Sequence, residues 1–145
     1  MIKFETNIVI NRSISDVFDY VTNAGNNPQW NSAVVKIEKE KECKNELNCE
    51  YRMERIIARK RVENRYRVTE YERNKTLTIK TLSGPTPFTY RYSFEPVGKS
   101  TLLQLNGKVK EDGLPFKAES FVAAHAIKSG VNSNLRMLKR ILERK

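Results

Sequence analysis

Several polar side chains interrupt faces that are otherwise apolar, and these are the residues whose chemistry could matter. Strand alternation puts Cys49, Tyr51, Met53, Arg55 and Ile57 on one face of one predicted strand. Val62, Asn64, Tyr66 and Val68 share a face of the next, Leu77, Ile79 and Thr81 of the one after. Thr101, Leu103, Leu105, Gly107 and Val109 share a face further on. Arg55, Asn64, Thr81 and Thr101 are thus polar groups among apolar ones. Each must be satisfied internally, reach solvent or meet a ligand. Apolar walls with a few placed polar groups are how small-molecule pockets are built. For Arg55 the alternatives are a strand-end side chain snorkelling to water and a ligand contact.

A second constellation is aromatic. Phe88, Tyr90, Tyr92 and Phe94 fall on one face of a strand, a large apolar surface that must be covered. They read either as ordinary core or, for Tyr90 and a neighbour, as the wall of a ligand site with a hydroxyl turned inward. An exposed platform for stacking nucleic-acid bases would need that face bare. Trp30 reads either as packing against the sheet end or as a residue at a cavity mouth.

The element that must cover these faces is the last thirty residues. Phe121, Ala124, Lys128, Val131, Leu135, Leu138 and Leu142 fall on one helical stripe at gaps of three and four. Its second half is aliphatic and suits a dry core. Its first half is mixed and suits the roof of a cavity. Lys128 either snorkels past the sheet edge or offers its ammonium to an anionic group. Gly130 follows in a run of poor helix formers, as tolerated low propensity or as a hinge. His125, the one histidine, lies beside the stripe at the surface or cavity rim, with no carboxylate partner to make it an acid–base catalyst.

The rest of the chain frames these elements. Ile2, Phe4, Thr6, Ile8 and Ile10 alternate as a half-buried first strand. Ser13 can cap a helix, with Asp16 reaching back, whose buried face is Ile14, Val17, Phe18 and Val21. Gln29-Trp30-Asn31 opens a second helical turn. Strands are expected near 34–41, 48–58, 61–73, 75–82, 87–96 and 100–110, joined by short turns as an antiparallel meander. Pro115 suits the first turn of the closing helix. The class is α+β, and seven strands should twist into a curl around that helix.

With 145 residues the chain is expected to form a single domain over 1–145. Its net charge of +10 would favour anionic partners, yet within 51–75 nine basic residues alternate with four acidic ones, which reads as a solvated face. No apolar run approaches the roughly 20 residues that span a bilayer, and the charged N-terminus is neither signal nor transit sequence. A cytoplasmic location is the expectation. Cys43 and Cys49 flank a turn where a disulfide is conceivable, but free thiols are expected in a reducing cytoplasm. Two cysteines and one scattered histidine make no zinc site, and neither a metal nor a cofactor is expected.

Ile8-Val9-Ile10-Asn11 leading to Asp16-Val17-Phe18-Asp19-Tyr20-Val21, then Asn27-Pro28-Gln29-Trp30, is an ordered series that continues with Tyr66-Arg67-Val68-Thr69-Glu70-Tyr71-Glu72. Tyr92-Ser93-Phe94-Glu95-Pro96, Gly98-Lys99-Ser100-Thr101-Leu102-Leu103 and the closing helix complete it. The series resembles the superfamily of START domains, birch-pollen-allergen-like proteins and polyketide cyclases (SRPBCC), in its bacterial polyketide cyclase/dehydrase-like branch. The resemblance implies a helix-grip fold: a curved seven-stranded antiparallel sheet wrapped around a long C-terminal helix, with two short helices after the first strand. It implies a cavity between sheet and helix that takes an apolar or amphipathic small molecule, lipid- or polyketide-like. No universal catalytic motif comes with the family, so no catalytic residue is carried over. An enzyme of the cyclase, aromatase or dehydratase kind is the alternative, and partner or nucleic-acid binding through the basic surface a weaker one. The cavity candidates are Trp30, Tyr51, Met53, Arg55, Asn64, Tyr66, Thr81, Tyr90, Phe121 and Lys128. Ligand identity, oligomeric state and cavity openness are left open.

Overall fold

A computed structural model describes residues 1–57, 59–110 and 120–145, without the side chains of 120 and 121. The period-2 segments are strands: β1 (Ile2–Ile10), β2 (Val34–Lys41), β3 (Glu50–Ile57), β4 (Lys60–Glu72), β5 (Thr76–Ser83), β6 (Phe88–Val97) and β7 (Ser100–Val109). They form one antiparallel sheet in the order β1-β7-β6-β5-β4-β3-β2. Consecutive strands pair through short turns, as local alternation favours. β1 and β2 alone are consecutive yet lie at opposite edges, so the chain crosses between them through α1 (Ile14–Thr22), a 3₁₀ turn (Ala24–Asn26) and α2 (Asn27–Trp30).

The local chemistry explains each boundary. The Ser13 hydroxyl caps α1 by accepting from Asp16 N at 3.2 Å. Asp16 does not reach back; its carboxylate pairs with Arg12 at 2.7 Å, because an aspartate is one methylene shorter than the glutamate of a capping box. Asn74 and Gly98 supply the left-handed conformations of two hairpin turns. The sulfurs of Cys43 and Cys49 are bonded across the β2–β3 connection, where their Cα atoms stand 5.2 Å apart. That corrects the expectation of free thiols: the turn brings the two residues into pairing geometry whatever the compartment.

The long helix α3 (Ser120–Glu143) packs on the concave face of the sheet. Its end is the dry core: Leu135, Leu138 and Leu142 are buried with Ile10, Val17, Phe18 and Leu103. Arg12 Nη1 donates to the carbonyl of Leu142 at 2.6 Å, holding the helix C-terminus against α1. The expected helix start at Pro115 lies outside the described residues. The sheet's outer face is laced by ion pairs, among them Arg67–Glu50 at 2.8 Å and Arg65–Glu40 at 2.8 Å. The excess of basic residues in 51–75 is thus partly neutralised in place, as the alternating charge pattern implied.

Candidate functional site

Where the leucines of α3 give way to Val131 and Ile127, the core opens into a cavity of about 220 Å³. Its walls are Met53, Tyr66, Phe88, Tyr90, Tyr92 and Leu105 from the sheet, Trp30 from α2, and Ile127 and Val131 from α3. Ser32, Ala126 and Gly130 also line it and are exposed, so they mark its mouth. Asn134 stitches that mouth to the α2–β2 linker: its Oδ1 accepts from Ser32 N at 3.2 Å, and its Nδ2 donates to Asn31 Oδ1 at 3.2 Å. Two of the wall residues each carry a buried polar atom with no hydrogen-bond partner among the described residues, the donor Trp30 Nε1 and the acceptor Asn27 Oδ1. Such atoms are rare in native interiors unless water or a guest completes them.

One cation reaches this space from β3. The Arg55 guanidinium lies 5.1 Å over the Phe88 ring and is held along one edge by neutral acceptors. Nε and Nη2 both donate to Asn64 Oδ1, at 3.0 and 2.7 Å, and Nη2 also donates to Thr86 Oγ1 at 2.6 Å. Asn64 in turn donates through Nδ2 to the carbonyls of Ser83 and Pro85, at 3.2 and 2.8 Å. Thr86 is a buried β-branched residue at φ +49°, a strained conformation that these bonds help to hold. Gly84 in the same loop has φ +102°, and a Cβ there would overlap the carbonyl of Glu63. Burial pushes the Arg55 pKa downward from its ordinary value, though a guanidinium stays charged at any physiological pH. Among the described residues no carboxylate pairs with it and no atom accepts from its Nη1.

Of the ten candidates, Trp30, Met53, Arg55, Tyr66 and Tyr90 come together around the cavity. Three others do not. Tyr51 stacks on Tyr66 at 5.1 Å between centroids, but its hydroxyl donates to Glu46 Oε2 at 2.6 Å and it faces an outer depression beyond Tyr66. Asn64 is fully buried with its amide committed to Arg55 and the 83–85 carbonyls, so it stands behind the wall. Thr81 Oγ1 accepts from Phe88 N at 3.1 Å, closing the β5–β6 hairpin instead of facing a guest. Lys128 is a correction of a different kind. Successive helical residues point about 100° apart, and Ile127 is the one that lines the cavity, so Lys128 turns outward. It is exposed in a shallow depression with His125, Asn132 and Arg136. The Phe121 side chain lies outside the described residues. Asn27, Asn31 and Asn134 were missed because they sit in a short helix, a linker and a helix flank, where polar residues stand out against no apolar period.

Residues 1–143 match the family described as polyketide cyclase / dehydrase and lipid transport. The chain belongs to that family. Its helix-grip architecture, with the sheet wrapped on α3, is the family's START-like fold. Among solved structures, a START superfamily protein from Mycobacterium smegmatis superposes with TM-score 0.85 at 17% identity, over 98% of this chain and 97% of that one. A Thermus thermophilus protein superposes with TM-score 0.77 at 13% identity, over 98% and 97%. The di-domain ARO/CYC StfQ of the steffimycin biosynthetic pathway gives TM-score 0.77 at 15% identity, over 99% of this chain and 51% of that one. At these identities the likeness is one of fold. No curated protein matches the chain.

Proposed function

We propose that this member of the polyketide cyclase / dehydrase and lipid transport family is a binding module. In this reading residues 1–145 act as one domain that takes a small apolar or amphipathic molecule between sheet and α3. The observation that carries it is the cavity between sheet and α3, walled mainly by aromatic and aliphatic side chains. Protein interiors are otherwise close-packed, and a space of this size is what a guest, or the water it displaces, would fill. Native mass spectrometry of freshly purified protein, with thermal denaturation against a panel of small apolar molecules, tests this. A retained guest, or a melting temperature that rises with ligand concentration by mass action, is expected. A bare mass and an unmoved transition across the panel would contradict it.

A cyclase, aromatase or dehydratase activity is the alternative, and the site supports it less well. The cavity is below the roughly 300–1,000 Å³ typical of drug-sized guests, which favours a compact ligand over a folded polyketide chain. Arg55 and tyrosines are the titratable side chains among its described lining residues. Burial raises the pKa of Tyr66, Tyr90 and Tyr92 further above neutrality, so near pH 7 they stay neutral and offer hydrogen bonds without acting as general bases. Turnover of a polyketide-like substrate that Tyr90→Phe abolishes, with folding retained, would favour the enzyme.

A further inference from the structure

We propose that the guest is a small monocarboxylate whose head group is held by Arg55 Nη1. This rests on the cavity reading above and specifies its chemistry. The argument starts from charge. A guanidinium taken out of water needs an anion or a full set of acceptors. Among the described residues the half-buried Arg55 has neither: Asn64, Thr86 and the 3.3 Å contact to the carbonyl of Pro85 are all neutral, and they occupy only Nε and Nη2. The two N–H groups of Nη1 remain, on a side chain that lines the cavity.

The arrangement also selects among anions. The Phe88 ring below the guanidinium and the two hydrogen bonds to Asn64 Oδ1 fix its plane, so the free nitrogen is presented in one orientation. A charge-assisted N–H···O bond to a carboxylate is shorter and about twice as strong as a neutral one. Arg55 is the one cationic side chain among the described lining residues, since Lys128 turns outward. A single cation neutralises a monoanion and leaves a phosphate dianion half-compensated. The other walls are aromatic and aliphatic, which suits a short hydrocarbon or aryl tail. Space sets the length: a cavity of about 220 Å³, below the range typical of drug-sized guests, suits a medium-chain or single-ring acid better than a long-chain one.

Isothermal titration calorimetry at pH 7 with octanoate, octanamide and octanol tests the inference on the wild-type protein. The tails match, so the head group alone differs. Octanoate should bind at least about tenfold more tightly than either neutral partner, the usual margin for a hydrogen bond to a charged group. In Arg55→Met, shown by circular dichroism to be folded, that preference should vanish while octanol binding persists. Because Arg55 also braces Asn64 and Thr86, Val131→Phe, which fills the cavity from α3, serves as a second variant: it should lose octanoate binding, and unchanged binding would place the acid outside the cavity and overturn the inference. Equal affinity for all three overturns the carboxylate and leaves the apolar cavity standing. A preference that survives in Arg55→Met assigns it to the basic surface and overturns the inference. Absence of heat from any of the three, up to their solubility, overturns both the inference and the cavity reading.

Discussion

Arg55 and Asn64 are joined through a single oxygen: the Asn64 carbonyl accepts from both Nε and Nη2 of Arg55, on neighbouring strands β3 and β4. That pair of hydrogen bonds turns a mobile cation into a fixed part of the cavity wall. The same asparagine then ties the 83–86 loop through two backbone carbonyls. One residue therefore sets both the plane of the guanidinium and the position of the loop beside it.

Replacing Asn64 with leucine should therefore be costly. It removes the acceptor of a largely buried cation, and each hydrogen bond to a charged group is worth roughly 1.5–3 kcal/mol. Urea denaturation of Asn64→Leu should show a loss of at least about 2 kcal/mol by that measure. An unchanged midpoint would mean that water replaces the amide freely.

Gly107 on β7 pairs with Phe4 on one side and Tyr90 on the other, and a Cβ there would overlap the Phe4 ring. Phe4 also meets Tyr90 edge-on at 5.8 Å. Gly107→Ala should displace the Phe4 ring and cost about 1–3 kcal/mol, the usual penalty for overpacking. Chemical denaturation gives the loss, and altered Tyr90 ring signals in NMR would locate it at the cavity.

Acid should weaken the outer face. Hydrogen bonding to Arg67 holds the Glu50 carboxyl below its ordinary pKa, with the nearby charges of Arg67, Lys41 and Arg65 adding to it against the opposing effect of desolvation. A depressed folded pKa contributes stability above the unfolded value, near 4.3 for glutamate, which is lost as pH falls through the folded value. Stability measured from pH 7 down to 3 should fall less steeply in Glu50→Gln than in wild type. Parallel curves would show that the pair contributes nothing.

The Cys43–Cys49 bond closes a loop whose ends are six residues apart. By the chain-entropy relation such a loop is worth about 2 kcal/mol. Cys43→Ser should lose about that much, and thiol titration of non-reduced, unfolded wild type should find no free sulfhydryl. Two reactive thiols in protein purified without reductant would instead bear out the expectation drawn from a reducing compartment.

Much of this was legible in the chain because alternation and helical period are local signals. The four-aromatic face of β6, the inward Met53, Arg55 and Tyr66, and the leucine end of α3 all follow from spacing alone. The roles of Asn64 and Thr81 did not, although their faces did. Whether an inward polar group meets a guest or another part of the chain depends on where the 83–86 loop and the β5–β6 hairpin lie in space. Lys128 misled for a related reason. A stripe read at gaps of three and four admits either Ile127 or Lys128, and only the position of the cavity on one flank of α3 decides between them. The border between core and cavity accordingly lies between Asn134 and Leu135.

The cavity carries its own reporter, because Trp30 is the chain's one tryptophan and its indole N–H has no partner in the wall. The most direct measurement is that single indole resonance in a nitrogen–proton correlation spectrum during titration with a small apolar or amphipathic molecule. Wild type should show a saturable shift, and Val131→Phe, which fills the cavity from α3, should retain the folded spectrum and lose the shift. An indole signal that stays put in wild type while the ligand binds elsewhere, or one that shifts equally in Val131→Phe, would contradict a guest site between sheet and helix.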